Sequence, residues 1–448
     1  MEEAELQPWI TVATGRTVRA LQRVAYGASR ATYLVEMEAG GDLVARVDTG
    51  DGPMAGTELS LVREAAVYRA LAGTGVRIPR LHAVAPDGTV LLTDRAPGTH
   101  EVNALASAER HVVYDDYLDA IADLHDIDAM ALDLPGHRRP TDGPSHARNE
   151  LDLWAGILDA RTRRPRPLAR YTLAVLRELA PAVVDRTVLC HGDVGPGNFL
   201  HEGGRVTALL DWEFAHLGDP MDDLGWWVFR GHDMRGDCGD LGAQLARWSA
   251  RTGIPVDLGR VAYYRVVVML RWLVSVVAAL ERGGIGMDRS VYYRLVPVLS
   301  VRLPRALAGL LGVELPPLAD GPDDPPGPAA DVIDTIGRDI ARVIAPAVHE
   351  PEARRRIDAS TFYLSHLAAM DRHGATLARA ELDDLSEVLG GRPRSSDEGR
   401  RDLEQLARRG SARPDLLAFF WRDGARQVAA WPLVASRAFT EPTALDAV

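Results

Sequence analysis

Two short apolar runs, Thr187 to Cys190 and Val206 to Leu210, each stop at a cluster of polar residues, and this pair constrains the chain more than any other feature. The first cluster is His191-Gly192-Asp193-Val194-Gly195-Pro196-Gly197-Asn198. The second, Asp211-Trp212-Glu213, begins thirteen residues beyond Asn198. Apolar runs this short, bounded by turn-forming residues, read as strands that deliver loops. Asp193, Asn198 and Asp211 are then presented from adjacent loops. Phosphoryl transfer asks little covalent chemistry of a protein and much positioning: a carboxylate to orient the attacking hydroxyl, and hard oxygen ligands to hold magnesium against the phosphates. These three side chains supply that set.

Around the clusters the hydrophobic period changes twice. Residues 18–98 read as strands at Thr32 to Met37, Leu43 to Val47 and Val90 to Asp94, with one helix from Glu58 to Ala72, which makes a small mixed lobe. From Ala106 to about Leu315 the period is helical, as in Tyr117, Ile121 and Leu124 at i, i+4 and i+7. Between Pro316 and Pro328, six prolines, two glycines and three aspartates rule out a continued helix and mark a linker. Beyond it Asp331 is a plausible N-cap for a helix with Val332, Ile333, Ile336, Ile340, Val343 and Ile344 on one face. Further helical patterns run from Arg354 to Met370, Leu377 to Leu389, Leu403 to Arg408 and Asp415 to Arg426. The expected division is 1–98, 99–315, a linker at 316–329, and a small helical domain at 330–448.

Composition excludes several classes. The net charge of −12 disfavours a nucleic-acid partner. Two cysteines, Cys190 and Cys238, are too few for a disulfide framework, and the acidic start Met-Glu-Glu lacks the base of a secretory signal, so a cytoplasmic setting is expected. Val266 to Leu280 is fifteen residues long and contains Arg271, short of the roughly 20 needed to span a bilayer, and reads as a buried helix rather than a membrane contact. All 51 basic residues are arginine; no lysine exists anywhere in the chain.

With these motifs in view, the sequence resembles the aminoglycoside-phosphotransferase-like kinase family. That family carries His-Gly-Asp, an Asn five residues after the Asp, Asp-Trp-Glu, and Gly-Asp-Pro-x-x-Asp-Leu, here Gly218 to Leu224. The resemblance implies an α+β, bilobal protein-kinase-like fold followed by an all-α C-terminal domain, with ATP and Mg2+ as cofactors. It makes Asp193 the catalytic base, places His191 beside it in the catalytic set as a brace of the loop backbone, and gives Asn198 and Asp211 to the metal. Glu213 either joins the metal shell or fixes the loop, Asp219 and Asp223 serve as turn former and helix cap, and His125 and Cys190 are packing residues. The nucleotide falls to the first lobe: Gly27, Ala28 and Ser29 in the phosphate-covering turn, and Asp94 and Ala96 at the hinge whose backbone reads adenine. Arg46 stands where most kinases carry a lysine, paired with Glu64; a guanidinium is always charged and can clamp phosphate with two N–H groups.

The acceptor implied is a small-molecule alcohol. Tyr263-Tyr264, Tyr292-Tyr293 and the Val266 to Leu280 helix are candidates for its pocket. The segment after the linker resembles a helical domain of unassigned function that accompanies hydroxyacyl-CoA kinases and acyl-CoA dehydrogenases, which implies an acyl-CoA acceptor and a docking or lid role for that segment. Arginines at 161, 163, 164 and 166, or at 354–356, could then meet the CoA phosphates or form solvated helix faces. An antibiotic or sugar kinase of the aminoglycoside or macrolide type is the alternative, and a nucleotide-binding pseudokinase a third reading.

Overall fold

Along the strands of the first lobe burial alternates with a period of two, and the alternation decides which face carries chemistry. The computed structural model describes residues 3–24, 30–50, 52–282, 289–410, 412–439 and 445. A helix α1 (Glu3–Thr14) precedes β1 (Val18–Val24), β2 (Ala31–Met37) and β3 (Leu43–Val47). Helix α2 (Leu61–Leu71), capped by the Ser60 side chain, then leads to β4 (Leu81–Val84) and β5 (Val90–Asp94). The five strands form one antiparallel sheet in the order β1-β2-β3-β5-β4. Leu43, Ala45 and Val47, with Val90 and Leu92 across the ladder, pack in one cluster with Leu6 and Ile10 of α1. Arg46 has the opposite parity and faces α2. Helix α1 escaped the sequence reading because Pro8 sits inside it and it buries few large residues.

The second lobe begins with α3 (Ser107–His125), α4 (Ser145–Arg161) and α5 (Pro167–Glu178). Two strand pairs follow: β6 (Val188–Cys190) with β9 (His216–Gly218), and β7 (Phe199–Glu202) with β8 (Arg205–Leu209). The lobe continues with α6 (Met221–Trp226), α7 (Leu241–Thr252), α8 (Leu258–Arg282) and α9 (Arg289–Leu311). Helix α8 is 25 residues long, more than its central apolar run suggested, and by length and composition could cross a bilayer; yet 83% of its most apolar window is buried inside the protein, as a core helix. Arg271 in its middle is neutralised by Asp222, whose two oxygens accept from Nη1 and Nη2 at 2.8 and 2.7 Å. Tyr263 and Tyr264, proposed above for an acceptor pocket, are buried core residues, and Tyr293 stacks on Trp431, 5.4 Å between centroids.

Past the irregular proline-rich stretch, α10 (Ala330–Asp339) runs through a π-helical turn (Ile340–Ile344) into one closing turn, α11 (Ala345–Ala347). Asp331 is not the N-cap: Ala329 takes that position, its N–H directed at the Asp371 carboxylate (3.2 Å), and Asp331 lies in the first turn, where negative charge still favours a helix N-terminus. The two patterns expected at Arg354 to Met370 and Leu377 to Leu389 are one helix, α12 (Pro351–Leu389), which runs through Gly374 and stops at Gly390 (φ 70°). Helices α13 (Ser396–Ala407) and α14 (Pro414–Ala430) complete the segment. Leu403, Leu416, Leu417, Phe419 and Phe420 belong to the apolar cluster of the second lobe, so much of this segment extends the existing core instead of enclosing another. Gly424 lies so close to α9 that a Cβ there would sit 2.3 Å from the Ser300 carbonyl oxygen.

Candidate active site

The pairing of β6 with β9, which sets Cys190 opposite His216, brings the loop after the first strand beside the loop before the second. The β7–β8 hairpin closes the remaining gap: it lies within the twelve residues between Asn198 and Asp211, and the Leu210 N–H that follows it donates to the Asn198 carbonyl at 2.9 Å. The expected convergence of Asp193, Asn198 and Asp211 therefore follows from two antiparallel ladders. Gly192 makes the approach possible. Its φ is +78°, and a Cβ would lie 2.1 Å from the Phe214 carbonyl oxygen.

The loop is held from beneath by buried groups. Asp223 accepts the main-chain N–H groups of His191 and Gly192 at 2.7 and 2.8 Å. It does not cap its own helix, as expected, but supports the loop across the lobe. His125 backs it: its Nδ1 takes the Trp248 indole N–H (3.3 Å), which leaves Nε2–H to donate to Asp223 at 2.9 Å. His191 is fully buried, with its ring against Trp212 and Nε2 bonded to the Leu210 carbonyl at 2.9 Å, and burial keeps its pKa below the usual value. This corrects its inclusion among catalytic groups: His191 ties the two loops together and faces no reacting atom. Asp219 forms the expected turn, accepting the Met221 N–H at 3.0 Å.

Asp193 is gripped from two sides. The Asn198 amide donates to Asp193 Oδ2 at 2.5 Å and to the Asp193 carbonyl at 2.8 Å, which turns the Asn198 carbonyl oxygen outward. Arg230, on a π-helical stretch (Trp227–Asp233) that continues α6, places Nη1 2.7 Å from Asp193 Oδ1. It directs its N–H groups instead to the carbonyls of Asp193 (2.9 Å) and Pro196 (3.1 Å). Oδ1 is thus buried, electrostatically paired and without a directed hydrogen bond. Burial pushes the Asp193 carboxyl up to about 6, against the pull of Arg230.

Asp211 has φ 66°, the only non-glycine positive φ among the described residues. Aspartate tolerates this left-handed conformation better than most residues, and such local cost concentrates at functional sites. Its Oδ1 accepts from Arg46 Nη2 at 2.8 Å; although burial works against ionisation, Arg46 holds the carboxyl below its usual range. Arg46 also reaches Glu64 Oε1 at 2.5 Å, so the expected Arg46–Glu64 pair is present and extends to Asp211. Arg30, which the sequence reading did not single out, is the second cation here: Nη1 donates to Glu64 Oε2 at 2.8 Å and lies 3.6 Å from Glu213 Oε2, and Nη2 donates to the Leu59 carbonyl at 2.6 Å. Burial and the neighbouring Asp211 push Glu213 up to about 7.

Gly27, Ala28 and Ser29 lie outside the described residues. At the hinge, the Asp94 carboxylate bonds His82 Nε2 (2.5 Å) and its N–H donates to Arg80 O (2.9 Å), which narrows the groups available to a base edge to the Asp94 carbonyl and the Ala96 N–H. The arginine runs proposed for CoA phosphates are partly engaged: Arg166 pairs with Glu281 at 2.7 Å, and Arg355 and Arg356 with Glu352. Among the described residues no three His, Cys, Asp or Glu side chains are grouped to hold a metal. The oxygens that fit a hard cation are mixed: the Asp211 carboxylate and the outward Asn198 carbonyl. Arg30 and Arg230 were missed because neither lies in a motif; proximity in sequence carries no trace of the 37 residues that separate Arg230 from Asp193.

The profile of the phosphotransferase enzyme family, APH, matches residues 20–264, more than half of the chain. Acyl-CoA dehydrogenase family member 11 of Gallus gallus is 26% identical over 212 residues, which cover 45% of this chain and 27% of that relative. The match thus spans about a quarter of the relative's length. Among solved structures, choline kinase LicA from Streptococcus pneumoniae aligns with a TM-score of 0.50 at 18% identity, covering 69% of this chain and 99% of that one. A protein from Ralstonia eutropha assigned as an aminoglycoside phosphotransferase aligns with a TM-score of 0.50 at 21% identity, over 69% and 97% of the two chains. The bilobal kinase fold expected from the sequence is present.

Proposed function

Since the chain belongs to the phosphotransferase enzyme family and is therefore a small-molecule kinase acting on hydroxyl groups, we propose that its donor is ATP and its acceptor a hydroxyacyl thioester of coenzyme A. The observation that carries the reaction is the convergence of Asp193, Asn198 and Asp211 opposite the Arg46–Glu64 pair. The Asp193 carboxylate accepts the proton of the acceptor hydroxyl. The acceptor oxygen forms a bond to the γ-phosphorus as the bond to the β,γ-bridging oxygen breaks, and ADP leaves with that electron pair. Asp211 and Asn198 would hold magnesium, which when bound neutralises phosphate charge. Arg46, released in part from Asp211, donates to the α- and β-phosphates, while Glu64 and Arg30 keep its guanidinium in place. Asn198 and Arg230 fix the Asp193 carboxylate in line.

The acceptor reading rests on the relatives named as acyl-CoA dehydrogenase family members, in which a segment like this one forms about a quarter of the chain. Purified protein incubated with ATP and magnesium against hydroxyacyl-CoAs, aminoglycosides and choline in parallel, read by mass spectrometry, tests it. A gain of one phosphoryl unit on the CoA thioester is the expected result. Transfer to an aminoglycoside or choline alone would overturn the acceptor and leave the kinase reading intact.

A further inference from the structure

Helix α2 presents Arg63 and Glu64 at consecutive positions, about 100° apart around the helix axis, so the two side chains leave in different directions. Glu64 meets Arg46 and Arg30 of the first lobe. Arg63 reaches the second lobe instead: its Nη2 donates to the Ala215 carbonyl at 2.8 Å, across 152 residues of chain. Ala215 closes the turn that follows Asp211. Its N–H donates to the Trp212 carbonyl at 3.1 Å, and it stands directly before β9. A single guanidinium thus joins the helix that holds the Arg46–Glu64 pair to the loop that carries Asp211 and Glu213.

Stability does not explain the contact. Arg63 is 7% exposed, the group it reaches is a neutral carbonyl, and among the described residues its Nε and Nη1 have no hydrogen-bond partner. Burial works against its charge, offset in part by Glu150 and Glu58. A cation buried with two N–H groups unmet costs more than one neutral hydrogen bond returns, which leaves position as the reason for it. The neighbouring links between the lobes are ones that ligands would open. Arg46 Nη2 and Asp211 Oδ1, bonded to each other at 2.8 Å, are the groups that phosphates and magnesium would claim, and Arg30 lies 3.6 Å from Glu213, too far for a hydrogen bond. The Arg63–Ala215 bond uses no group that either ligand claims, so it persists when the Arg46–Asp211 bond opens.

We infer that Arg63 is a positioning residue: through the Ala215 carbonyl it fixes the Asp211 loop to α2, and so sets how far the metal lies from the phosphates that Arg46 binds. The Asp193 loop has its support inside the second lobe, in Asp223, whereas the Asp211 loop takes this support from the first. The inference rests on the kinase reading above, with Asp211 as a magnesium ligand.

Binding of a fluorescent ATP analogue, titrated with magnesium or held in EDTA, tests it together with amide hydrogen exchange of the unliganded chain; neither measurement needs an acceptor. Arg63→Met should raise the magnesium concentration at half-maximal binding about tenfold, the scale expected when a group that orients a metal ligand is lost, and change binding in EDTA less than about twofold. It should also speed exchange across residues 211–216 and leave 191–198, which Asp223 holds, at the wild-type rate. Arg63→Gln, too short for the Ala215 carbonyl, should behave in the same way and serves where the apolar variant folds poorly. Arg63→Lys supplies the single donor required and should return both readouts toward wild type. Arg77→Met breaks a different bridge between the lobes, to Asp116 (2.5 Å) and the Val206 carbonyl (3.0 Å), and should leave the magnesium midpoint in place. An unmoved midpoint in Arg63→Met and Arg63→Gln, with wild-type binding still magnesium-dependent, overturns the inference and spares the kinase reading. Arg63→Lys no better than Arg63→Met, or an equal shift in Arg77→Met, overturns it as well, since either would reduce the contact to general packing. Wild-type binding indifferent to magnesium overturns the metal assignment itself, and the inference with it.

Discussion

A carboxylate with a pKa of about 6 is a base only above that value, so the proton-accepting role of Asp193 carries a pH signature. The rate of transfer at limiting acceptor should rise through pH 6 and level off near 7, with the limb set by the Asp193 carboxyl amid Arg230, Asn198 and Asp211. Asp193→Ala should lower turnover by about 10²–10⁴-fold and remove that limb. Arg230→Gln takes away the guanidinium 2.7 Å from Oδ1, which favours the ionised form, so the limb should move to higher pH; Arg230→Lys should move it less. Steady-state rates from pH 5 to 9 check all three, and an unmoved limb in Arg230→Gln would show that the arginine only buttresses the loop. Arg46→Met should raise the KM for ATP more than that for acceptor, since Arg46 stands on the nucleotide side with Glu64.

At the scale of elements, the site is made by two small ladders and the glycine between them. Gly192→Ala meets both a left-handed backbone and a carbonyl oxygen 2.1 Å away, so the two loops must separate. The expected cost is at least about 1–3 kcal/mol of stability, read as a lowered denaturation midpoint together with loss of transfer. Asp223 is the corresponding side-chain support. Asp223→Asn keeps the shape but places an amide N–H where an acceptor is needed, opposite either a main-chain N–H or His125. Turnover should drop with little change in the KM for ATP, because the nucleotide contacts lie in the other lobe.

For the whole molecule, the C-terminal segment matters through shared packing. Helix α14 contributes Leu416, Leu417, Phe419 and Phe420 to the cluster that also holds α8 and α9. Ending the chain at Leu315 would expose the surfaces these residues cover. The expected outcome is loss of soluble, cooperatively melting protein, where a detachable accessory domain would leave a stable kinase; light scattering and thermal melts of the truncated chain distinguish the two. The docking or lid role expected from the sequence is thus at most an addition to a structural one.

The sequence by itself determined what short-range rules govern: the strands that deliver the two loops, the order of Asp193, Asn198 and Asp211, the alternation that turns Arg46 away from the α1 side, and the proline-rich break after Leu315. Tertiary structure decided the rest, because it depends on partners far along the chain. Arg30 and Arg230 became site residues only when folding brought them to Glu64 and Asp193, and Asp223 became the support of a loop rather than the cap of a helix. The physical reason is one of range: periodicity and turn chemistry act over a few residues, whereas burial of a charge or an apolar face is settled by whatever packs against it.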